Sequence, residues 1–277
     1  MIRVNSKFKF GISVIIIALY LLPLYWLAIS SFRPVEELFS KTYSFLPQKI
    51  TLINYKGLFD DLQFLTYIKN SLIVSVSSVI ITLLLAIPGS YYLARYDIKW
   101  QKLLIKLALF TYMMPSIIFV IPYFELMNTL NLDNKLVALV LTYLSFTLPF
   151  SFWFLWNYFS SFPFVLEEAA MIDGASRFNA FFSVTLPLSI PGMIAIGLFT
   201  FILSWNEFLF ASVFLSENSN FTIPVGVSTY LEATAINWPR LMAASMVILL
   251  PAFLVYVFFH KYLLKGFGAH TITVNGE

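Results

Sequence analysis

Long uninterrupted hydrophobic stretches dominate the pattern of apolar and polar positions along the chain. A helix needs about 20 mostly apolar residues to cross a bilayer, and six stretches reach that length. They cover residues 11–32, 70–94, 103–127, 136–158, 188–216 and 241–263. None shows the two-residue alternation typical of a transmembrane β-strand of about 10 residues. The pattern therefore predicts an all-α membrane protein with six transmembrane helices, forming a single domain over residues 1–277.

The first apolar stretch follows three basic residues, Arg3, Lys7 and Lys9, and in this respect resembles a secretory signal peptide. The hydrophobic region of a signal peptide has about 7–15 residues, whereas the stretch 11–32 is longer. Its length favours an uncleaved first span.

Prolines interrupt several of the predicted spans. Each proline removes a backbone hydrogen bond and kinks a helix, which membrane helices tolerate where neighbours or cavity water satisfy the freed carbonyl groups. The prolines indicate either packing geometry alone or a bundle shaped around a pathway. Seven of the 13 prolines lie in spans: Pro23, Pro88, Pro115, Pro122, Pro149, Pro191 and Pro251.

Composition excludes a soluble enzyme, a disordered tail and a nucleic-acid binder. The chain is 60% hydrophobic and 11% charged, against about 45–50% and about 25% in soluble domains. Because there are no cysteines, disulfides, zinc-thiolate sites and cysteine nucleophiles are excluded as well. The net charge of +3 is too small to indicate a polyanionic partner.

The distribution of basic residues predicts the orientation. Cytoplasmic loops carry an excess of Lys and Arg, and a cytoplasmic N-terminus places ten basic residues inside against seven outside. Both termini are therefore predicted to face the cytoplasm. The inside set is Arg3, Lys7, Lys9, Arg95, Lys99, Lys102, Lys106, Arg177, Lys261 and Lys265.

The loop between the fourth and fifth spans, residues 159–187, contains helix signals. Pro163 favours a helix start, and Gly174 can end that helix with a left-handed cap. Ser176 can cap a second short helix that runs to Pro187. The loop is thus predicted to form a helix–turn–helix whose acids, Glu167, Glu168 and Asp173, offer charges to a partner's basic residues. An ordinary loop with solvated charges is the alternative.

The spacing within this loop resembles a known signature. Glu168-Ala169-Ala170 is followed by Gly174 and then by Leu186-Pro187, with Val184 where isoleucine is usual. This is the pattern of the EAA loop in permease subunits of bacterial and archaeal ABC importers. Further segments resemble the carbohydrate-type, maltose-permease-like class, in particular its smaller six-span subunit: Asn70–Leu72, Ala94–Tyr96, Ser204–Phe208 and Thr222–Gly226.

The resemblance implies a fold, an activity and partners. It implies the ABC type I importer permease fold, with cytoplasmic coupling helices, in the inner membrane of a prokaryote. The implied partners are a second permease subunit, two cytoplasmic ATPase subunits that use ATP and Mg, an extracellular solute-binding protein and a carbohydrate substrate. No cofactor is expected on this chain. The residues implied in coupling are Glu167, Glu168, Ala169, Ala170, Asp173, Gly174, Ala175, Leu186 and Pro187.

Glu207 is an acidic residue inside the predicted fifth span. A carboxylate at the bilayer centre costs about 2.5–3.5 kcal/mol on insertion scales, so it is expected to face the bundle interior or water. Trp205, Asn206 and Glu207 are therefore candidates to line a translocation path. The alternative is a structural Glu207 that is hydrogen-bonded across a helix interface or lies shallow near one face.

Other function classes have less support in the sequence. An intramembrane enzyme is disfavoured because only two histidines are present and no GxSxG, HExxH or CxxC motif occurs. A secondary transporter is expected to show internal repeats or chains of intramembrane charge. Within the importer class, the loop alone also permits an amino acid, phosphate or polyol phosphate as the substrate.

Overall fold

The computed structural model describes residues 6–38, 44–97, 99–232 and 236–267, and these residues form helices and loops with no strand. The all-α prediction is confirmed. Both chain ends, which enter the predicted orientation, lie outside the described residues. The helices are α1 (Ser6–Ser31), α2 (Val35–Leu38), α3 (Ile53–Phe59), α4 (Leu62–Arg95), α5 (Gln101–Met113), α6 (Val120–Thr129), α7 (Leu136–Ser160), α8 (Val165–Ile172), α9 (Arg177–Ala180), α10 (Leu186–Trp205), α11 (Leu209–Phe214), α12 (Ile223–Glu232) and α13 (Trp238–Phe267).

Five helical segments in the described part of the chain are long and apolar enough to cross a membrane, and the number is six when one bent pair of helices is counted as a single span. The predicted spans 70–94 and 136–158 fall within α4 and α7, and 241–263 falls within α13. The apolar part of α1 is not buried within the chain. Its side chains therefore suit contact with lipid or with another protein.

The third span is not the continuous helix that the apolar run 103–127 predicts. Its two halves, Gln101–Met113 and Ser116–Thr129, are bent by 92°. The cause is Pro115, which forces the residue before it out of the helical region. Met114 is accordingly extended, with φ −72° and ψ 138°. A 3₁₀ turn over Ser116–Phe119 then leads directly into α6.

The fifth span, predicted over 188–216, also differs from its prediction. The helix ends at Trp205 and resumes only at Leu209, as α11. At its other end, the predicted second short helix does not stop at Pro187, because α9 continues through a π turn, Phe181–Thr185, into α10. The proline ring would clash with the carbonyl four residues earlier in a regular helix, and the wider π turn relieves that clash.

The described residues group into two compact units, one within the ranges 1–65 and 225–251 and the other within the ranges 66–224 and 252–277. In the first unit, the Asn54 amide donates to the carbonyl oxygens of Ser31 and Arg33 at 2.8 and 2.9 Å. In the same unit Arg240 pairs with Asp61 at 3.0 Å. The single domain over 1–277 stays a prediction.

The second unit has a buried core in which α4, α7 and α10 meet. Phe154, Leu155 and Phe159 of α7 pack with Ala86 and Ala195. Close packing depends on small residues, as is usual between membrane helices. A Cβ atom at Gly192 would lie 2.8 Å from the Tyr158 ring, and one at Gly89 would lie 2.3 Å from Phe152. This core fixes the helices that carry the residues of interest.

Candidate functional site

The loop 159–187, hereafter the coupling loop, is built as its turn residues predict. Its first helix, α8, ends at Ile172, and Gly174 adopts φ +95°, a region that residues with a Cβ rarely enter. The Ser176 hydroxyl accepts a hydrogen bond from the Asn179 amide at 3.2 Å and so caps α9. The prediction of a capped turn after α8 is confirmed.

Most of the predicted coupling residues lie wholly or partly at the accessible surface of the protein. The exposed residues of this group are Glu168, Ala169, Asp173, Gly174 and Pro187, and the half-buried ones are Ala170, Ala175 and Leu186. This surface combines two carboxylates with alanine and glycine, which allow a partner to approach closely. Their role in coupling stays a prediction.

Glu167 does not belong to that surface. Its side chain is buried, with the whole residue 1% exposed, and both carboxylate oxygens are occupied within the chain. Oε1 accepts from Arg95 Nε and from the Thr185 hydroxyl, each at 2.7 Å. Oε2 accepts from the Tyr91 hydroxyl at 2.7 Å. The expectation that Glu167 offers its charge to a partner is therefore wrong, because burial and three internal bonds occupy it.

Arg95 is the counter-ion that sequence reasoning missed. It lies in the last turn of α4, with its side chain 7% exposed, and its guanidinium also donates to the Phe162 carbonyl at 3.4 Å. The guanidinium lies 5.6 Å from the Phe164 ring centroid. Arg95 falls in the segment Ala94–Tyr96 noted above, but a separation of 72 residues from Glu167 gives no local signal of pairing.

The second carboxylate of interest, Glu207, sits at the break between α10 and α11. Its oxygens accept from the backbone amides of Phe210 and Ala211 at 2.9 and 3.1 Å, and from the Tyr143 hydroxyl at 2.7 Å. The carboxylate therefore caps α11 in the way that acidic side chains cap helix N-termini. Within the described residues no cation lies within 4 Å of it.

The three candidate path residues are placed differently. Glu207 lines a cavity of about 290 Å³ in the second unit, whereas Trp205 and Asn206 do not. Trp205 is 1% exposed and stacks on Phe201 with centroids 5.7 Å apart. Asn206 is exposed and donates to the Ile202 carbonyl at 2.8 Å. Other residues of the cavity wall are Thr111, Tyr112, Met114, Ser116, Phe119, Tyr123, Ser145, Phe146, Leu203 and Phe210.

Residues 86–268 match the family described as binding-protein-dependent transport system inner membrane component. The chain belongs to this family. The resemblance read from the EAA loop is thereby confirmed, and the chain is an inner-membrane, multi-pass permease. Both carboxylate sites and the whole coupling loop lie inside the matched segment.

Relatives and a solved structure agree with this membership. The permease is 36% identical over 252 residues to the inner membrane ABC transporter permease protein YcjP of Escherichia coli K12, covering 90% of each chain. It is 35% identical over 249 residues to the sulfoquinovosyl glycerol transport system permease protein SmoH of Agrobacterium fabrum, covering 90% of this chain and 87% of that one. Its fold matches a chain of a bacterial ABC transporter that imports the acidic polysaccharide alginate, with a TM-score of 0.79 and 23% identity, covering 95% of this permease and 99% of that chain.

Proposed function

We propose that this permease is the transmembrane subunit of an ATP-driven, binding-protein-dependent importer of sugars or oligosaccharides. The observation that carries the proposal is the exposed surface of the coupling loop, where Glu168, Ala169 and Gly174 are accessible to a partner. The sugar class is supported by the relative SmoH, named for sulfoquinovosyl glycerol transport, and by the segment Ser204–Phe208. An importer of an amino acid, phosphate or polyol phosphate is the second candidate, which the coupling loop alone permits.

The proposed assembly contains this subunit, a second permease, two ATPase subunits and an extracellular solute-binding protein. ATP hydrolysis with Mg belongs to the ATPase subunits, since the sequence of this chain has no P-loop. Closure of the ATPase pair moves the coupling loops and so biases a two-state bundle. Both termini lie on the cytoplasmic side with the ATPases.

The internal bonds of the coupling loop suit this role. Glu167 fixes α8 to the end of α4 through Arg95 and to the start of α10 through Thr185. A push on the exposed face of α8 therefore reaches two spans through short charged and hydrogen-bonded contacts. Without such bonds a loop would absorb the movement instead of transmitting it.

Co-purification followed by an activity panel tests the proposal. The permease is isolated with its neighbouring ATPase, second permease and binding protein, and ATPase activity is measured with maltose, trehalose, cellobiose, glutamine and phosphate. We expect stimulation by at least one sugar together with the binding protein. Stimulation by glutamine or phosphate and by no sugar would overturn the substrate class.

Two substitutions test the coupling surface. Proline cannot adopt the positive φ of residue 174, so Gly174→Pro is expected to leave the protein inserted but to abolish sugar uptake. Glu168→Lys reverses the exposed charge and is expected to do the same. Glu125→Lys makes the same charge change at an exposed position on α6 and is expected to keep uptake. Normal uptake in both loop variants would contradict the coupling role.

A further inference from the structure

Two separate helix breaks open onto the same cavity. The break between α5 and α6 contributes Thr111, Tyr112, Met114 and Ser116, and the break between α10 and α11 contributes Leu203, Glu207 and Phe210. The two breaks are far apart in sequence, so their meeting is a property of the fold. Two of the predicted continuous spans are interrupted at this one place.

A helix break inside a membrane span leaves backbone N–H and C=O groups without their helical hydrogen bonds, and these groups need other partners. Irregular backbone is tolerated there only where protein buries it or where it lines a water-filled cavity, and discontinuous helices in transporters commonly form binding sites. Here Glu207 already satisfies the backbone amides of Phe210 and Ala211. Ser116 at one break and Glu207 at the other line a cavity of about 290 Å³.

Aromatic rings make up much of the cavity wall. Phe119 and Tyr123 stack with centroids 5.6 Å apart, and Phe146 stacks on Phe210 with centroids 6.1 Å apart. Tyr112 adds a fifth ring. Such a wall offers flat, polarisable faces, against which the C–H face of a sugar ring can pack, while its hydroxyl groups stay at the edge.

Hydroxyl groups and one carboxylate oxygen complete the wall. Thr111 and Ser145 donate to main-chain carbonyls at 3.0 and 2.6 Å, which leaves their oxygens able to accept. Ser116 and Tyr123 also line the cavity and bring two further hydroxyl groups to its wall. Glu207 has about four acceptor positions, and three of them are used.

The charge of the wall selects against anions. Glu207 is the only Asp, Glu, Lys, Arg or His among the residues that line the cavity, and the backbone amides of Phe210 and Ala211 are already bonded to it. An anionic ligand would meet a carboxylate and find no cation. A small number of polar groups within a mostly apolar wall is the usual composition of a site for a small neutral molecule.

We propose that this cavity is a carbohydrate subsite on this subunit, which holds a neutral sugar ring against Tyr112, Phe119 and Tyr123. The ligand's hydroxyl groups bond to Ser116 and Ser145 and to the remaining acceptor position of Glu207. The inference rests on the proposed function and adds that this subunit itself contacts the substrate. In this arrangement Glu207 is a binding residue as well as the cap of α11.

The absence of cysteine allows a direct test. Ser145→Cys is introduced into the complete importer, and its modification by a small methanethiosulfonate reagent is timed with and without sugar. The probe is whichever of maltose, trehalose and cellobiose stimulates the ATPase, with galacturonate as the anionic comparison. At ten times its half-saturating concentration the active sugar is expected to slow labelling about tenfold, by mass action. Galacturonate is expected to leave the rate unchanged.

Matched variants separate binding from folding. Tyr123→Ala is expected to raise the half-saturating sugar concentration for this protection about two- to tenfold, the range for an aromatic contact. Tyr123→Phe keeps the ring and is expected to stay near the parent value, as is Tyr256→Ala, whose exposed ring lies outside the cavity.

The outcomes distinguish the two proposals. If no sugar stimulates the ATPase, the proposed function fails. If a sugar stimulates it while Ser145→Cys is unprotected, resists labelling altogether, or is protected equally in Tyr123→Ala, only the subsite is overturned.

Discussion

Glu167 and Glu207 both lie in the second unit, and their carboxylates are stabilised by different kinds of partner. Each accepts a hydrogen bond from a tyrosine hydroxyl at 2.7 Å, from Tyr91 and Tyr143 respectively. Glu167 adds a buried cation, Arg95, at 2.7 Å. Glu207 has no such cation among the described residues and accepts two backbone amides instead. One site is thus a tertiary ion pair and the other is a helix cap.

The two carboxylates also differ in how far along the sequence their hydrogen-bond partners lie. The partners of Glu167 lie 18, 72 and 76 residues away, so the bonds join three segments of the chain. Two of the three partners of Glu207 lie only three and four residues away. Glu167 therefore holds elements together, whereas Glu207 stabilises a local break and leaves one acceptor position toward a cavity.

The largest effect is expected from breaking the ion pair. Glu167→Ala leaves the Arg95 guanidinium buried without a counter-charge, which costs about 3–5 kcal/mol. The loss is measured as the shift in the SDS-unfolding transition of the purified permease. The double variant Arg95→Met/Glu167→Leu removes both charges and is expected to recover most of that stability.

The stability of the double variant shows whether the ion pair or the other hydrogen bonds of Glu167 stabilise the fold. If the double variant were as unstable as Glu167→Ala, the stabilisation would lie in the hydrogen bonds to Tyr91 and Thr185 and not in the ion pair. In either case the double variant is expected to transport poorly, because α8 loses its charged tie to α4.

A smaller effect is expected at Glu207. Glu207→Ala strands no cation, so its cost is that of a lost N-cap, about 0.5–2 kcal/mol, together with the lost hydrogen bond from the Tyr143 hydroxyl, about 0.5–1.5 kcal/mol. Glu207→Gln keeps an acceptor oxygen and is expected to fall between Ala and the parent. The measurement is the same unfolding transition. A loss at Glu207 as large as that at Glu167 would remove the distinction between the two sites.

The sequence predicted the class of molecule better than the two sites. Apolar length identified the spans, and the turn residues around Gly174 predicted the end of α8. Pro115 predicted a kink, but it did not predict the size of the bend, 92°, which also depends on how the two halves pack. The break after Trp205 was not predicted, because the span was drawn through Asn206 and Glu207, the two polar residues that interrupt the apolar run there.

The pairing of Glu167 was beyond sequence reasoning for a different reason. Glu167 and Glu168 are adjacent identical residues, and only the fold decides which one turns inward. Successive residues of an α-helix point in directions that differ by about a quarter turn. This rotation buries Glu167 against Arg95 and exposes Glu168. The motif marked Glu168 for its partner-facing role, and the structure assigns its neighbour to the interior.

The smallest effect, and the sharpest comparison, comes from the two tyrosines. Tyr91→Phe and Tyr143→Phe each remove one hydroxyl donor from a carboxylate, a loss of about 0.5–1.5 kcal/mol. Glu167 keeps Arg95 and Thr185, whereas Glu207 keeps only two amides, so Tyr143→Phe is expected to lower the unfolding transition more than Tyr91→Phe. The order is expected to reverse after Arg95→Met, because Glu167 then also lacks a cation. An unchanged order in that background would mean that burial, and not the counter-ion, decides how much each carboxylate depends on its tyrosine.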